Sequence, residues 1–249
     1  MLSEHALRHA LEQIGIEAPV RFDEITGSTN LTALRLAAEG TPEWTLVAAA
    51  HQTEGRGRLG REWRDEPGHA LMFSLVLRPD LAPERAGLIT LLSGACMATA
   101  ARELGTSVRC KWPNDLMVGG KKAGGILAES VVSGQRFEYL VLGLGVNIGA
   151  PPADVPEAAA IDADEGELLE AFLRAFAEGY RPAVASFSAD VIERYRPVCD
   201  TFGRRVRAFT VDGTTIEGEA VDVDGTGALV LGTSDGLELV RSGEVEHLR

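Results

Sequence analysis

Residues 83–104 form one long apolar segment, opened by Pro83 and closed by Gly105, and it reads as a helix that must be buried. A buried helix of that length needs a sheet against it, and its neighbours supply strands joined by short turns. Residues 71–77 form a strand stopped by Pro79, and residues 108–112 lead into the turn Pro113-Asn114-Asp115. Gly119-Gly120 makes a second turn before Gly124-Gly125-Ile126-Leu127, and Gly134 with residues 139–146 completes a hairpin. Strands outnumber helices and are joined mainly by hairpins. The expected class is therefore α+β, a mixed or antiparallel sheet backed by helices, and a doubly wound parallel fold is disfavoured.

On the N-terminal side, Ser3 is placed to cap a helix whose apolar face is Ala6, Leu7, Ala10, Leu11 and Ile14, with Gly15 as its stop. A strand through Phe22 and Ile25 runs into Gly27-Ser28-Thr29-Asn30. Leu31, Leu34, Ala37 and Ala38 then recur at helical spacing, which puts Ser28, Thr29 and Asn30 at a helix N-terminus. Residues 44–50 read as a buried strand. After Pro151-Pro152 and an acidic, alanine-rich stretch, helices are expected over about residues 168–180 and 183–195. From Gly203 onward short β-rich runs are punctuated by Asp212-Gly213, Asp224-Gly225 and Asp235-Gly236 at near-equal intervals, which predicts a small barrel. The expected division is 1–202 for a larger domain and 203–249 for the barrel.

Charge narrows the partners. Asp plus Glu exceed Lys plus Arg to give a net charge of −13, which repels polyanions and opposes general DNA or anionic-membrane binding. Cys96, Cys110 and Cys199 are scattered, so neither a disulfide framework nor a zinc knot is encoded, and a reducing cytoplasm fits best. No apolar run is long enough for a membrane span, and no export signal is read at the N-terminus. The histidines lack zinc-ligand spacing; His5 and His9 share a helix face without a third ligand. Walker A order is absent around Gly119 to Gly124, there is no G-x-S-x-G elbow, and Leu142-Gly143-Leu144-Gly145-Val146-Asn147 is not a dinucleotide fingerprint.

Against that acidic background one loop stands out. Residues 52–68 are long, polar and glycine-rich, and Gly55-Arg56-Gly57-Arg58-Leu59-Gly60-Arg61 alternates guanidinium groups with glycines, a pattern suited to a phosphate or carboxylate. Read blandly it is a solvated basic turn. Lys111-Trp112-Pro113-Asn114-Asp115 sets a cation and a carboxylate at a turn, with Lys121 and Lys122 returning on the next strand. Such a set can hold a nucleotide, its magnesium and a second acid, or be an ordinary charged hairpin. Ser28-Thr29-Asn30 offers hydroxyl and amide groups for a neutral polar head group, or a plain N-cap.

In order along the chain, Gly27-Ser28-Thr29-Asn30, His51-Gln52-Thr53-Glu54-Gly55-Arg56-Gly57-Arg58, Lys111-Trp112-Pro113-Asn114-Asp115-Leu116, Gly125-Ile126-Leu127-Ala128-Glu129 and Gly143-Leu144-Gly145-Val146-Asn147 closely resemble biotin protein ligases. The resemblance runs from about residue 20 to the end. It is to the short form without a winged-helix DNA-binding domain, and it includes an SH3-like C-terminal barrel. It implies activation of biotin by ATP to biotinyl-5′-AMP, then transfer to a lysine of a biotin carboxyl carrier domain, in a cytoplasmic homodimer. By motif position, Ser28, Thr29, Asn30 and Gln52 meet biotin, with Gly125 beside it, and Arg56, Gly57 and Arg58 cover its carboxylate and the phosphates. Lys122 meets the carboxylate oxygen as the catalytic cation, Lys111 binds pyrophosphate, and Asp115 orients magnesium or the attacking amine. Trp63, Asn114 and Asn147 complete the ATP site. Glu54 departs from the small residue usual there, either weakening phosphate attraction or capping Arg56. A lipoate protein ligase and a non-catalytic biotin or nucleic-acid binding module are the alternatives.

Overall fold

The computed structural model describes residues 2–248. Ser3 caps α1 (Glu4–Glu12) by accepting from Ala6 N, as its position predicts. β1 (Val20–Thr26) and β2 (Leu46–Gln52) pair in parallel, joined by α2 (Thr29–Ala38). β3 (Ala70–Leu77), β4 (Arg109–Lys111), β5 (Asp115–Val118), β6 (Lys121–Ser133) and β7 (Arg136–Asn147) add antiparallel neighbours. The resulting seven-stranded mixed sheet has the order β1-β2-β3-β7-β6-β5-β4.

The two faces of this sheet are covered unequally. α3 (Gly87–Glu103), α4 (Glu165–Gly179) and α5 (Phe187–Tyr195) pack with α1 on one face, against Leu46, Ala48, Leu71, Phe73, Leu75, Leu142 and Leu144. Strand alternation sends Val47, Val76 and Val141 to the other face, where they meet Ala33 and Ala37 of the much smaller α2. All of β3 is buried, as a strand covered on both sides must be. α2 covers only part of its face, and the remainder is the floor of a cavity.

β8 (Arg205–Thr210), β9 (Thr215–Val223), β10 (Leu229–Thr233), β11 (Gly236–Val240) and β12 (Gly243–His247) form a second, antiparallel sheet of order β11-β10-β9-β8-β12. This is the small SH3-like β-unit that the turn spacing and the resemblance led us to expect. It is tied to the first sheet through Trp112, whose N donates to Thr201 Oγ1 at 3.0 Å and whose Nε1 donates to Gly227 O at 3.1 Å.

Two local expectations need correction. The helix expected from residue 183 begins at Phe187, because residues 181–187 close on themselves through Val184 N to Arg181 O and Phe187 N to Val184 O. The long apolar helix begins at Gly87, after a single tight turn at Pro83–Arg85. The Asp224-Gly225 signal does mark the β9–β10 hairpin; its left-handed residue is Gly227 (φ 89°), since Asp224 Oδ1 accepts from both Thr226 N and Ala228 N and so lengthens the loop.

Candidate functional site

The cavity, about 150 Å³, opens on the α2 face and is lined by every residue given a biotin or ATP role above except Asn147. Two glycines on β7 create it. Gly143 and Gly145 are two residues apart and so share a face. A Cβ at Gly143 would stand 1.9 Å from Asn30 Oδ1, and one at Gly145 would stand 2.7 Å from Trp63 Cε2. The run that fails as a dinucleotide fingerprint thus clears room for an amide and an indole to lie on the sheet.

At the α2 end, Thr29 N and Oγ1 donate to Gln52 Oε1 at 2.7 and 3.2 Å. Ser74 Oγ lies 2.9 Å from Thr29 Oγ1 and 2.7 Å from Asn30 Oδ1, its one proton serving one of the two. Asn30 Nδ2 donates to Leu127 O at 3.3 Å and to Glu129 Oε2 at 3.0 Å, so both amide protons are committed. Ser28 holds the N-cap position without a side-chain capping bond and lines the cavity.

The arginine loop folds on itself. Gly57 N donates to Arg61 O at 2.7 Å and Trp63 N to Gly55 O at 2.9 Å, with Arg56 and Glu62 bridged between them. A Cβ at Gly55 would fall 2.3 Å from Trp63 O, so this glycine serves the loop's own ladder. Asp65, its side chain fully buried, anchors the loop's root, 2.8 Å from His51 Nδ1 and accepting from Gln52 N at 3.3 Å. Arg56 is met by Glu129 at 3.1 Å, and this settles the question of its cap: Glu129, not Glu54, pairs with it. Arg58 Nη1 donates to the neutral Asn114 Oδ1 at 3.3 Å. Burial pulls the Arg58 guanidinium below its ordinary range, against the opposing pull of Glu244 and Asp115.

Across the cavity, Lys111 and Asp115 are register partners on β4 and β5, and Lys122 Nζ lies 2.5 Å from Asp115 Oδ1. Asn114 Nδ2 donates to Ile126 O, fixing the turn over β6. Lys121 turns away to Pro156 O. Gly125 stands beside Lys122, where a Cβ would meet its Cε at 3.6 Å. Asn147 lies outside the cavity lining. Its Nδ2 donates to Ala159 O at 2.9 Å, while its Oδ1 and Trp63 Nε1 are buried without hydrogen-bond partners.

Sequence reasoning missed the contribution of the C-terminal unit. Glu244 and Val245 of β12 complete the wall, and Glu244 is ion-paired with Arg61. Nothing local in the chain joins residues so far apart. His247 on the same strand is held below the ordinary imidazole range by burial and then by Lys111 and Arg204. Glu129 was within a quoted motif but had no role. The cysteines are buried free thiols; burial drives that of Cys110 upward, away from reactivity. No helix among the described residues is long and apolar enough to cross a membrane.

Comparison with known proteins follows this geometry. Residues 23–147 match the biotin/lipoate A/B protein ligase family and residues 201–248 match the biotin protein ligase C-terminal domain. The chain is 32% identical to a biotin–[acetyl-CoA-carboxylase] ligase of Mycobacterium tuberculosis, over 100% of this chain and 96% of the relative. It is 31% identical to the bifunctional ligase/repressor BirA of Bacillus subtilis, over 98% of this chain and 79% of the relative. Among solved structures, a biotin protein ligase mutant from Aquifex aeolicus in complex with biotin superposes with a TM-score of 0.73 at 25% identity, covering 93% of this chain and 98% of that one. The Leishmania major biotin protein ligase in complex with biotinyl-5-AMP gives a TM-score of 0.58 at 26% identity, covering 94% of this chain and 100% of that one.

Proposed function

The chain belongs to the biotin/lipoate A/B protein ligase family, and from that premise we propose how its cavity works. It is an ATP-dependent biotin protein ligase. A biotin carboxylate oxygen attacks the α-phosphorus of ATP, the bond to the β-phosphate breaks, and pyrophosphate leaves with its electron pair. A lysine amine then attacks the acyl carbon of biotinyl-5′-AMP, AMP leaves, and the nitrogen gives up a proton. The observation that carries the reading is the convergence of a neutral polar end, Ser28, Thr29 and Gln52, with a cationic end, Arg58, Lys111 and Lys122, around one cavity. A lipoate substrate is not favoured, because the relatives named above are biotin enzymes.

Residue roles are our own reading. Thr29 and Gln52 suit the donors and acceptors of a ureido ring, and Arg58 with Lys122 offsets the repulsion between carboxylate and phosphate as they approach. Asp115 keeps Lys122 aimed before substrate enters, which its ion pair supports. By motif position Trp63 and Asn147 take the adenine; their orphaned Nε1 and Oδ1, a donor and an acceptor, are buried here, so an adenine edge reaches them once the loop that carries Trp63 shifts. Magnesium would arrive on the nucleotide. It takes one or two carboxylates besides phosphates and water, so Asp115 fits as a protein ligand, and the described residues hold no cluster of three or more metal-binding side chains. The acceptor is the biotin carboxyl carrier domain of a carboxylase. The enzyme works in the cytoplasm as a homodimer, with its catalytic part in 1–202 and the β-unit in 203–249.

The test is to incubate the protein with ATP, magnesium and either biotin or lipoate, following pyrophosphate and the adenylate by mass. Adenylate with biotin alone is expected. Adenylate with lipoate would keep the chemistry and overturn the pocket assignment, and silence with both would favour a non-catalytic module.

A further inference from the structure

We propose that Glu129 is a positioning residue that fastens the arginine loop to the floor of the biotin end of the site, so that Arg56 is the fastener and Arg58 the anion receptor. The inference rests on the biotin-adenylating reading and assigns different work to two arginines that the motif treats as equivalent.

Glu129 lies on β6 with a side chain 25% exposed, and it takes two partners from separate elements. Arg56 Nη1, from the loop, stands 3.1 Å from Oε1 and 3.4 Å from Oε2. Asn30 Nδ2, from α2, donates to Oε2 at 3.0 Å. Asn30 is itself wedged over Gly143 and linked through Ser74 Oγ to Thr29, and Thr29 is linked to Gln52. The carboxylate therefore stands next to last in a row of polar contacts, Gln52–Thr29–Ser74–Asn30–Glu129–Arg56, that runs from the neutral polar end to the loop; Thr29 N holds Gln52, and the single Ser74 proton goes to Thr29 or to Asn30. The orientation of the Asn30 amide follows from it, since Nδ2 faces a carboxylate and a carbonyl and Oδ1 faces a hydroxyl.

This geometry separates the arginines. The charge of Arg56 is already met by a carboxylate, and exchanging that partner for a phosphate would also strip Glu129 of its counter-charge beside Asn30. Arg58 gives its hydrogen bond to a neutral amide, that of Asn114, the neighbour in sequence of Asp115. An arriving anion takes Arg58 at little cost and leaves Arg56 in place. Ligand that orders Thr29 and Gln52 also steadies Asn30 and Glu129, so occupancy of the biotin end tightens the loop at its other end.

The experiment uses the full chain, Glu129→Gln, Glu129→Asp, Arg56→Gln and the double variant Glu129→Gln/Arg56→Gln. Tryptic nicking within residues 56–64 of the ligand-free protein reads loop opening directly. We expect Glu129→Gln to speed it about tenfold, which is about 1.4 kcal/mol, and to raise the KM for biotin in pyrophosphate exchange by a similar factor with kcat within about twofold. Glu129→Asp should recover part of both, and the double variant should be no worse in KM than either single variant. Unchanged nicking in Glu129→Gln would overturn the proposal, as would additive effects in the double variant or a loss confined to thermal stability. Failure of the wild type to adenylate biotin would instead sink the functional reading, and the nicking comparison would still test the fastening.

Discussion

Gly145→Ala tests whether the indole of Trp63 belongs to the nucleotide site. The added Cβ would lie 2.7 Å from Trp63 Cε2 and 3.0 Å from Cδ2 and Nε1, closer than real Cβ atoms come. Gly145 pairs with Met72 on one side and Gly125 on the other, so the strand is held between two neighbours and the ring must move. Overpacking of this kind costs about 1–3 kcal/mol. If the displaced ring is the platform for adenine, and each 1.4 kcal/mol is a factor of ten, the KM for ATP rises about 5- to 140-fold. Melting temperature should hold within about 2 °C, because Trp63 sits on a surface loop that can absorb the shift. Tryptophan emission reads the ring itself, since Trp112 is buried at the junction of the two sheets and Trp44 is packed on Phe176 and Tyr180. Gly225→Ala, where a Cβ meets nothing within 4 Å, is the control. Shifted emission with an unchanged ATP KM would refute the adenine role, and no change in either would mean that the strand yields.

Lys122→Ala should reduce adenylation at least about a hundredfold while leaving melting within about 2 °C, because a side chain 44% exposed contributes under about 1 kcal/mol through its ion pair; equal losses of rate and stability would undo its catalytic assignment. Arg58→Gly removes a cation and frees the backbone of the loop, so biotinyl-AMP should escape faster, and an unchanged half-life of the enzyme-bound adenylate would count against it. His247 prefers to be neutral when folded, because burial lowers its pKa, so the unfolded chain takes up the proton first on acidification. The stability it lends is therefore present above the ordinary imidazole range and lost as pH falls, and His247→Gln should flatten the decline in melting temperature between about pH 7.5 and about pH 5.5.

The fold class was legible because period and punctuation do not depend on distant contacts. Pro83 and Gly105 bound the apolar helix to within a few residues, and Gly134 marks the β6–β7 hairpin with a φ of 61°. Errors fell at helix starts, where local turns at Pro83–Arg85 and over 181–187 precede the helix and the apolar pattern alone does not mark the change. The cavity lining was legible through motifs, yet the pairing of its charges was not. Nothing in the spacing of Gly-Arg-Gly-Arg says that one arginine meets Glu129 and the next an amide, since those partners arrive by β-pairing across the sheet. Glu244 was illegible for a stronger reason: it reaches the site through the docking of the second sheet against the first, which Trp112 on Gly227, Ser188 on Gly225 and Arg196 on Asp222 hold together.

That pattern of pairing bears on how a polyanion enters an acidic protein. Three of the five cations around the cavity are already matched by carboxylates: Arg56 by Glu129, Arg61 by Glu244 and Lys122 by Asp115. Arg58 and Lys111 carry no ion pair among the described residues and so provide the net positive charge within a chain of −13. An approaching triphosphate therefore meets a weak field, and at a Debye length of about 10 Å in 0.1 M salt little of it reaches beyond the cavity mouth. Affinity then comes from contacts made inside the cavity, first at the unpaired Arg58 and Lys111 and afterwards by partner exchange, with Lys122 and Arg61 passing from Asp115 and Glu244 to the incoming oxygens. Raising salt from about 0.05 to about 0.3 M should then change the ATP KM by less than about threefold. Glu244→Gln, by uncovering Arg61, should steepen that dependence. A steep dependence in the wild type that Glu244→Gln leaves unaltered would show that the pairs open before the nucleotide arrives, and that charge steering governs its entry.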